Sequence, residues 1–181
     1  KEVVLVWHTA PVDDNGTDIP RLCKHLLPEC NVIFTYKINN GPFDDGQINF
    51  LYNACDMYIN LASNEGFGLG SAQALMVGKP ILVNVTGGLQ DQCGFKLKDK
   101  YLTEEDYLNI ESLHEEEVWK NNEDLTYGSW AFPVWPTNRS LQGSPPTPYI
   151  FDDRCKFTHA ADQLMNIYNL SPEQKETIAK D

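Results

Sequence analysis

NLASNEGFGLGSAQALMVGKP, running from Asn60 to Pro80, is the stretch from which the fold is read. An apolar run from Met57 to Ala62 ends in Ser63, Asn64 and Glu65. A glycine-spaced turn follows at Gly66, Phe67 and Gly68. Leu69 to Val77 then carries a helical pattern, stopped by Gly78 and Pro80. The order is strand, tight turn, helix. The first N–H groups of a helix have no intrahelical acceptor, and glycines let a ligand approach them, so such a turn suits phosphate. Glu65 stands beside it. A carboxylate repels phosphate and is better placed to accept hydrogen bonds from hydroxyls. A phosphate cradle next to a hydroxyl reader points to a nucleotide-sugar. The competing reading of any glycine-rich turn is an ordinary strand-to-helix connection.

Working outward, Val3 to Trp7 is a continuous apolar run, as expected of a strand buried on both faces. Asp18 caps a predicted helix at Ile19-Pro20, with Leu22, Leu26 and Leu27 as its apolar face. Asn31 to Ile38 is the next expected strand, and Asp44 or Asp45 opens a helix through Cys55. Met57–Ala62 and Pro80–Val85 are the third and fourth strands. Strands alternating with helices at this spacing predict right-handed βαβ units in an α/β fold, a doubly wound parallel sheet of Rossmann-like type. Ligands on such sheets bind at the carboxyl ends of the strands. The segments expected there are His8-Thr9, Tyr36-Lys37-Ile38, Ser63 to Gly68 and Thr86-Gly87-Gly88. His8 is a candidate for a phosphate or sugar contact, or else a strand-end histidine bonded to backbone. Lys37 is a candidate counter-charge for a diphosphate, or else a solvated lysine. Thr86 and Gly87 belong either to a close approach to the donor sugar or to a plain turn.

Other phosphate and metal motifs fail on the same residues. The dinucleotide fingerprint Gly-x-Gly-x-x-Gly has Gly66 and Gly68 but Ser71 at its third place, and the strand to Val85 ends without a ribose-binding acid. A Walker loop would need a glycine where Gln73 stands, and Pro80 follows Gly78-Lys79. There is no Asp-x-Asp, so a metal-bridged diphosphate is disfavoured and no metal site is expected. Gln73 itself falls, on a helical wheel, between Leu69, Met76 and Val77 at the edge of the apolar face. An amide there costs roughly 1–3 kcal/mol unless it is hydrogen-bonded. Its partner is either neighbouring backbone or a ribose hydroxyl.

Three segments together resemble a known family: Tyr52 to Asp56, Ser63 to Leu69, and Ala74 to Pro80. They are similar to the donor half of retaining GT-B glycosyltransferases of family 4, whose two glutamates are separated by seven residues. Glu65 matches the first; the second falls at position 73, where this chain has Gln73. Val6 to Pro11 with Asp18 resembles the family's second donor-domain strand and the helix after it. The resemblance is good over residues 1 to about 90, moderate over 148–181 and absent between. It implies sugar transfer with retention from a UDP- or GDP-linked donor, with no other cofactor and no metal. It gives Glu65 the catalytic place, holding hydroxyls of the transferred sugar. Ser63, Asn64, Gly66, Phe67, Gly68 and Leu69 would cradle the donor, and Gln73 would take the ribose contact as an uncharged acceptor. It also implies that the arginine–lysine pair for the diphosphate and the N-terminal acceptor domain lie outside this chain, which alone would be inactive. Two other readings stay open: a non-catalytic nucleotide-sugar binding module, favoured by Gln73, and a Rossmann-type dinucleotide-binding oxidoreductase.

At 181 residues and 41% hydrophobic content the chain is expected to be one donor-binding domain over 1–181. Its net charge of −12 argues against nucleic acid and anionic membrane surfaces. No apolar run is long enough to span a membrane. Five cysteines without a Cys-x-x-Cys pair favour free thiols in a reducing, cytoplasmic setting. Residues 96–148 read as an insertion, first charged (Glu104-Glu105-Asp106, Glu115-Glu116-Glu117), then rich in aromatics and proline. Its part from 126 to 150 reads as one long loop, with Arg139 as its candidate cation for phosphate. Tyr149 to Phe151 is a short strand, after which Asp152 and Asp153 cap a helix bearing Phe157, Ala160, Leu164 and Ile167. Ser171 caps a last helix.

Overall fold

The computed structural model describes residues 3–14, 16–103, 105–106 and 122–181. Glu104 and the acidic run 115–117 lie outside them. The chain is a mixed α/β protein with parallel sheets, and it divides into two compact units, Lys1–Leu51 and Tyr52–Asp181.

In the first unit β1 (Val4–Trp7) pairs in parallel with β2 (Asn31–Phe34), Val4 opposite Asn31 and Trp7 opposite Phe34. Between them runs α1 (Ile19–Leu26), started as expected by Asp18, whose carboxylate accepts the Arg21 N–H at 3.0 Å. Its buried residue is Cys23; Leu22, Leu26 and Leu27 are exposed. The second strand is shorter than its sequence suggests. Thr35, Tyr36 and Ile38 have strand-forming side chains, yet the chain turns into α2 (Thr35–Asn39). Thr35 is buried and its hydroxyl donates to the Trp7 carbonyl, so a tertiary bond overrides local β propensity. Lys37 therefore sits on a helical turn instead of a strand end. Asn40, in left-handed conformation at φ 52°, closes α2. Asp44 and Gln47 exchange N–H to side-chain bonds at 2.8 and 3.0 Å and start α3 (Asp45–Ala54).

The second unit is built on a parallel sheet of β3 (Tyr58–Asn60), β4 (Ile81–Asn84) and β8 (Ala131–Val134), with β4 central. Helix α4 (Leu69–Met76) connects β3 to β4, and α5 (Gly87–Gln92) follows β4. All four residues of β4 are buried, and their alternation assigns the faces. Ile81 and Val83 pack with Ala74 of α4 and with Leu89 and Cys93 at α5. Leu82 packs with Val134 and with Ala160 and Ile167 of α6 (Phe157–Tyr168). Helical residues thus cover β4 from both sides, and a fully buried leucine such as Leu82 contributes roughly 1.5–3 kcal/mol. Phe157 and Leu164, expected on the same helix face, are exposed.

The segment 126–150 is not a loop. It contains β8 and the long strand β9 (Pro136–Ser144), which pairs antiparallel with β10 (Thr147–Cys155). Prolines hide these strands from a sequence reading because they interrupt strand runs. Asp152 and Asp153 correspondingly lie within β10, where Asp153 faces Arg139 across the ladder, and do not cap α6, whose N-cap is Lys156. Short strands β5 (Lys96–Leu97), β6 (Lys100–Tyr101) and β7 (Leu125–Thr126) form a separate small sheet. The last helix, α7 (Pro172–Ile178), starts in a capping box of Ser171 and Gln174, as its sequence predicts. No cysteine is paired; Cys23 and Cys93 are buried and Cys55 is half-buried. Among the described residues no helix is long and apolar enough to cross a membrane.

Candidate functional site

The glycine turn begins where β3 ends. Asn60 accepts the Ala62 N–H at 3.0 Å and donates from its amide to Glu65 Oε2 at 3.4 Å, so the strand's last residue steadies the half-buried carboxylate. Gly68, at φ +84°, is the N-cap of α4 and makes no side-chain capping bond. A residue with a Cβ would be strained there and would press on Leu89 and the Ser71 hydroxyl. The N–H groups of Leu69, Gly70 and Ser71 are in the helix's first turn, where no intrahelical acceptor is available to them. The carbonyls of the turn are held from behind. Gln92 donates its amide to the Phe67 carbonyl and, at 3.2 Å, to that of Gly68. Ser71, wholly buried, donates its hydroxyl to the Gly68 carbonyl at 2.8 Å. It fills the place of the third fingerprint glycine with an inward bond, which leaves little resemblance to a dinucleotide turn.

The start of α5 forms the opposite wall. The Gly88 N–H is shared between the carbonyls of Glu65 at 3.2 Å and Gly66 at 3.1 Å. A Cβ on Gly87 would strike the Glu65 carbonyl, and one on Gly88 the backbone of Gly66 and Phe67. The two glycines therefore serve a close backbone approach to the turn itself. Thr86 is buried, and its hydroxyl donates to Asp153 Oδ2 at 2.8 Å.

Gln73 is exposed on α4, and its Oε1 accepts the Tyr52 hydroxyl at 3.2 Å. The helix face differs from the one drawn on a wheel: Leu69 and Met76 are exposed, while Ser71 and Ala74 face the core. The rings of Tyr52 and Tyr58 lie 5.9 Å apart. Burial, with the Tyr58 and Cys55 charges behind it, pushes Tyr52 up to about 12. Burial and then the Glu65 charge push Tyr58 up. Glu65 is thus half-buried, with Tyr58 among its neighbours.

His8 and Lys37 belong to the first unit. His8 Nδ1 bonds Thr35 Oγ1 at 2.7 Å, its ring lies against Tyr36 and Phe43, and burial lowers its pKa. Lys37 places its ammonium 5.2 Å from the centre of the Phe34 ring. Ser63, Asn64, Glu65, Gly66, Phe67, Gly68, Leu69, Gln73, Thr86 and Gly87 all lie in the second unit.

Arg139, expected as a phosphate cation, is bound to Asp153: Nε to Oδ1 at 2.5 Å and Nη2 to Oδ2 at 2.9 Å. Its guanidinium also lies 4.9 Å from the centre of the Phe151 ring. Asp153, Asn84 and Gln92 are the residues sequence reasoning missed. Asn84 had a signal, since an asparagine inside ILVNV is a polar group in a buried strand. Asp153 and Gln92 had none.

No protein-family model matches the chain. A glycogen synthase of Clostridium beijerinckii is 31% identical over 93 residues, which are 51% of this chain and 18% of that protein. The chain thus matches less than a fifth of that relative's length.

Proposed function

We propose that this chain is the donor-binding half of a glycosyltransferase, one that moves a sugar from a UDP- or GDP-linked donor to an acceptor. The similarity to a glycogen synthase supports sugar transfer. The observation that carries the reading is the uncapped start of α4 next to a half-buried glutamate. The N–H groups of Leu69 and Gly70 would stabilise the departing diphosphate, a preorganised electrostatic contribution that is present before the reaction begins. Glu65 would accept bonds from hydroxyls of the transferred sugar, and Gln73 would meet the ribose. Retention and membership of family 4 follow the motif resemblance around Glu65, and independence of metal follows the helix-start turn and the absence of Asp-x-Asp. The same reading makes the fold a doubly wound, Rossmann-like half of a GT-B enzyme. A non-catalytic nucleotide-sugar binding module is the second reading, and the engagement of Gln73 by Tyr52 favours it.

Calorimetric titration of UDP and GDP, with and without EDTA, tests the site. Binding that survives EDTA is expected; binding that needs added magnesium or manganese, or no binding at all, defeats the reading. In the same preparation residues 1–181 should transfer no sugar, because positioning by a second domain can be worth roughly 7–11 kcal/mol of the barrier. Transfer by this chain alone that is lost in Glu65→Ala would show that the site is complete within it.

A further inference from the structure

The polar groups of Asp153 tie together the segments that frame the glycine turn. Its carboxylate is paired with the Arg139 guanidinium through both oxygens, and Oδ2 also accepts the Thr86 hydroxyl. Its N–H donates to the Ser63 carbonyl at 2.7 Å, and its carbonyl accepts from Asn84 Nδ2 at 2.7 Å. Asn84 uses the same amide to hold the Ala62 carbonyl at 3.0 Å. One residue farther along the loop, the Asn64 amide donates to the Phe151 carbonyl at 3.0 Å. The bonds close a ring. From Asp153 it runs through Ser63 to Glu65, across to Gly88, back along the chain to Thr86, and through the Thr86 hydroxyl to Asp153.

The chemistry of this ring is unusual for a purely structural contact. Asp153 is 3% exposed, and the Arg139 side chain 15%. A buried ion pair gains little over well-packed apolar side chains, so stability alone is a weak reason for it. Asn84 Oδ1 is buried with no hydrogen-bond partner among the described residues, a cost borne while its amide holds two carbonyls. Such a network does fix geometry. The turn it frames contains Gly66 and Gly68 and faces Gly87 and Gly88, residues with the greatest backbone freedom, and α4 starts without a side-chain cap.

We infer that Asp153 is a positioning residue of the candidate donor site. Through Thr86 and Ser63 it holds the two walls of the turn in register, so that Glu65 and the first N–H groups of α4 keep a fixed relation to a bound nucleoside diphosphate. Arg139 is then its counter-ion and not a phosphate ligand, and the hairpin of β9 and β10 is part of the site. The inference rests on the donor-site reading above.

Asp153→Asn strands the Arg139 charge and risks unfolding, so the test uses Thr86. Thr86→Val removes the hydroxyl link and leaves the ion pair intact; Thr86→Ser keeps the link. Amide hydrogen exchange is read at Gly88 and at Leu69 to Ser71, against Ile81, which bonds the Trp130 carbonyl in the sheet. In Thr86→Val, exchange at Gly88 should rise about tenfold relative to Ile81, and UDP or GDP should bind about fivefold to tenfold more weakly. Thr86→Ser should restore both. Unchanged Gly88 exchange in the valine variant, or a rise equal at Gly88 and Ile81, overturns the inference, as does retained nucleotide affinity with a loosened turn. If the wild-type chain binds neither nucleotide but Gly88 responds as stated, the donor reading fails while Asp153 still orders the turn.

Discussion

Gln73 shows how much one side chain's surroundings decide. In sequence it is an amide at the edge of an apolar stripe. In the structure it is an exposed residue on α4 whose carbonyl oxygen is taken by Tyr52, with its amide nitrogen on the same planar group. Because the Tyr52–Gln73 bond lies at the surface, water can replace the partner that truncation removes. Gln73→Leu should therefore weaken UDP or GDP binding by about 1 kcal/mol with little change in thermal stability. Gln73→Glu should be tolerated, since a carboxylate accepts the Tyr52 hydroxyl more strongly. Calorimetry on the three proteins decides, and equal affinity for the leucine variant would leave Gln73 only a role in holding Tyr52.

Among the elements, the start of α5 and the glycine turn behave as one unit because their backbones touch. Gly66 and Gly88 test this from the two sides. A Cβ on Gly88 meets backbone atoms of Gly66 and Phe67, which cannot rotate away, whereas a Cβ on Gly66 meets nothing within 4 Å. Gly88→Ala should cost about 1–3 kcal/mol through forced separation of the two segments. Gly66→Ala should stay within about 0.5 kcal/mol. Urea unfolding midpoints give both values, and a neutral Gly88→Ala would mean that α5 can move away from the turn freely.

For the folded molecule as a whole, groups buried in their neutral form should set the alkaline limit of stability. Burial, with the Asp91 charge second, pushes the Cys93 thiol up to about 12, and burial also raises Cys55 and Cys155. An unfolded cysteine loses its proton near pH 8.5. Above that pH the unfolded chain releases protons that the folded chain retains, so stability falls as pH rises toward 12 and is undiminished below about 8. Unfolding midpoints should drop between pH 8 and 10, and the drop should be shallower in Cys93→Ala. Identical pH slopes for the two proteins would show that the Cys93 thiol ionises as readily folded as unfolded.

The sequence by itself determined the elements whose signals are local. Asp18, Asp44 and Ser171 start their helices where the capping chemistry of those residues places them, and the buried strand Ile81–Asn84 is announced by the apolar run Ile81 to Val83. The sequence also marked Gly66 to Gly68 as a turn into a helix, because a left-handed N-cap at Gly68 needs a residue without a Cβ. What only the tertiary structure decided are the contacts made far along the chain. Strand β8 completes the parallel sheet and β9 and β10 form a hairpin in a segment whose prolines read as loop. Thr35 turns a predicted strand into α2 through a bond to Trp7. Asp153 reaches Thr86, 67 residues away, and Ser63 farther still. Propensity and spacing act over a few residues, whereas a buried carboxylate goes where its hydrogen bonds are satisfied, and that place exists only once the chain has folded.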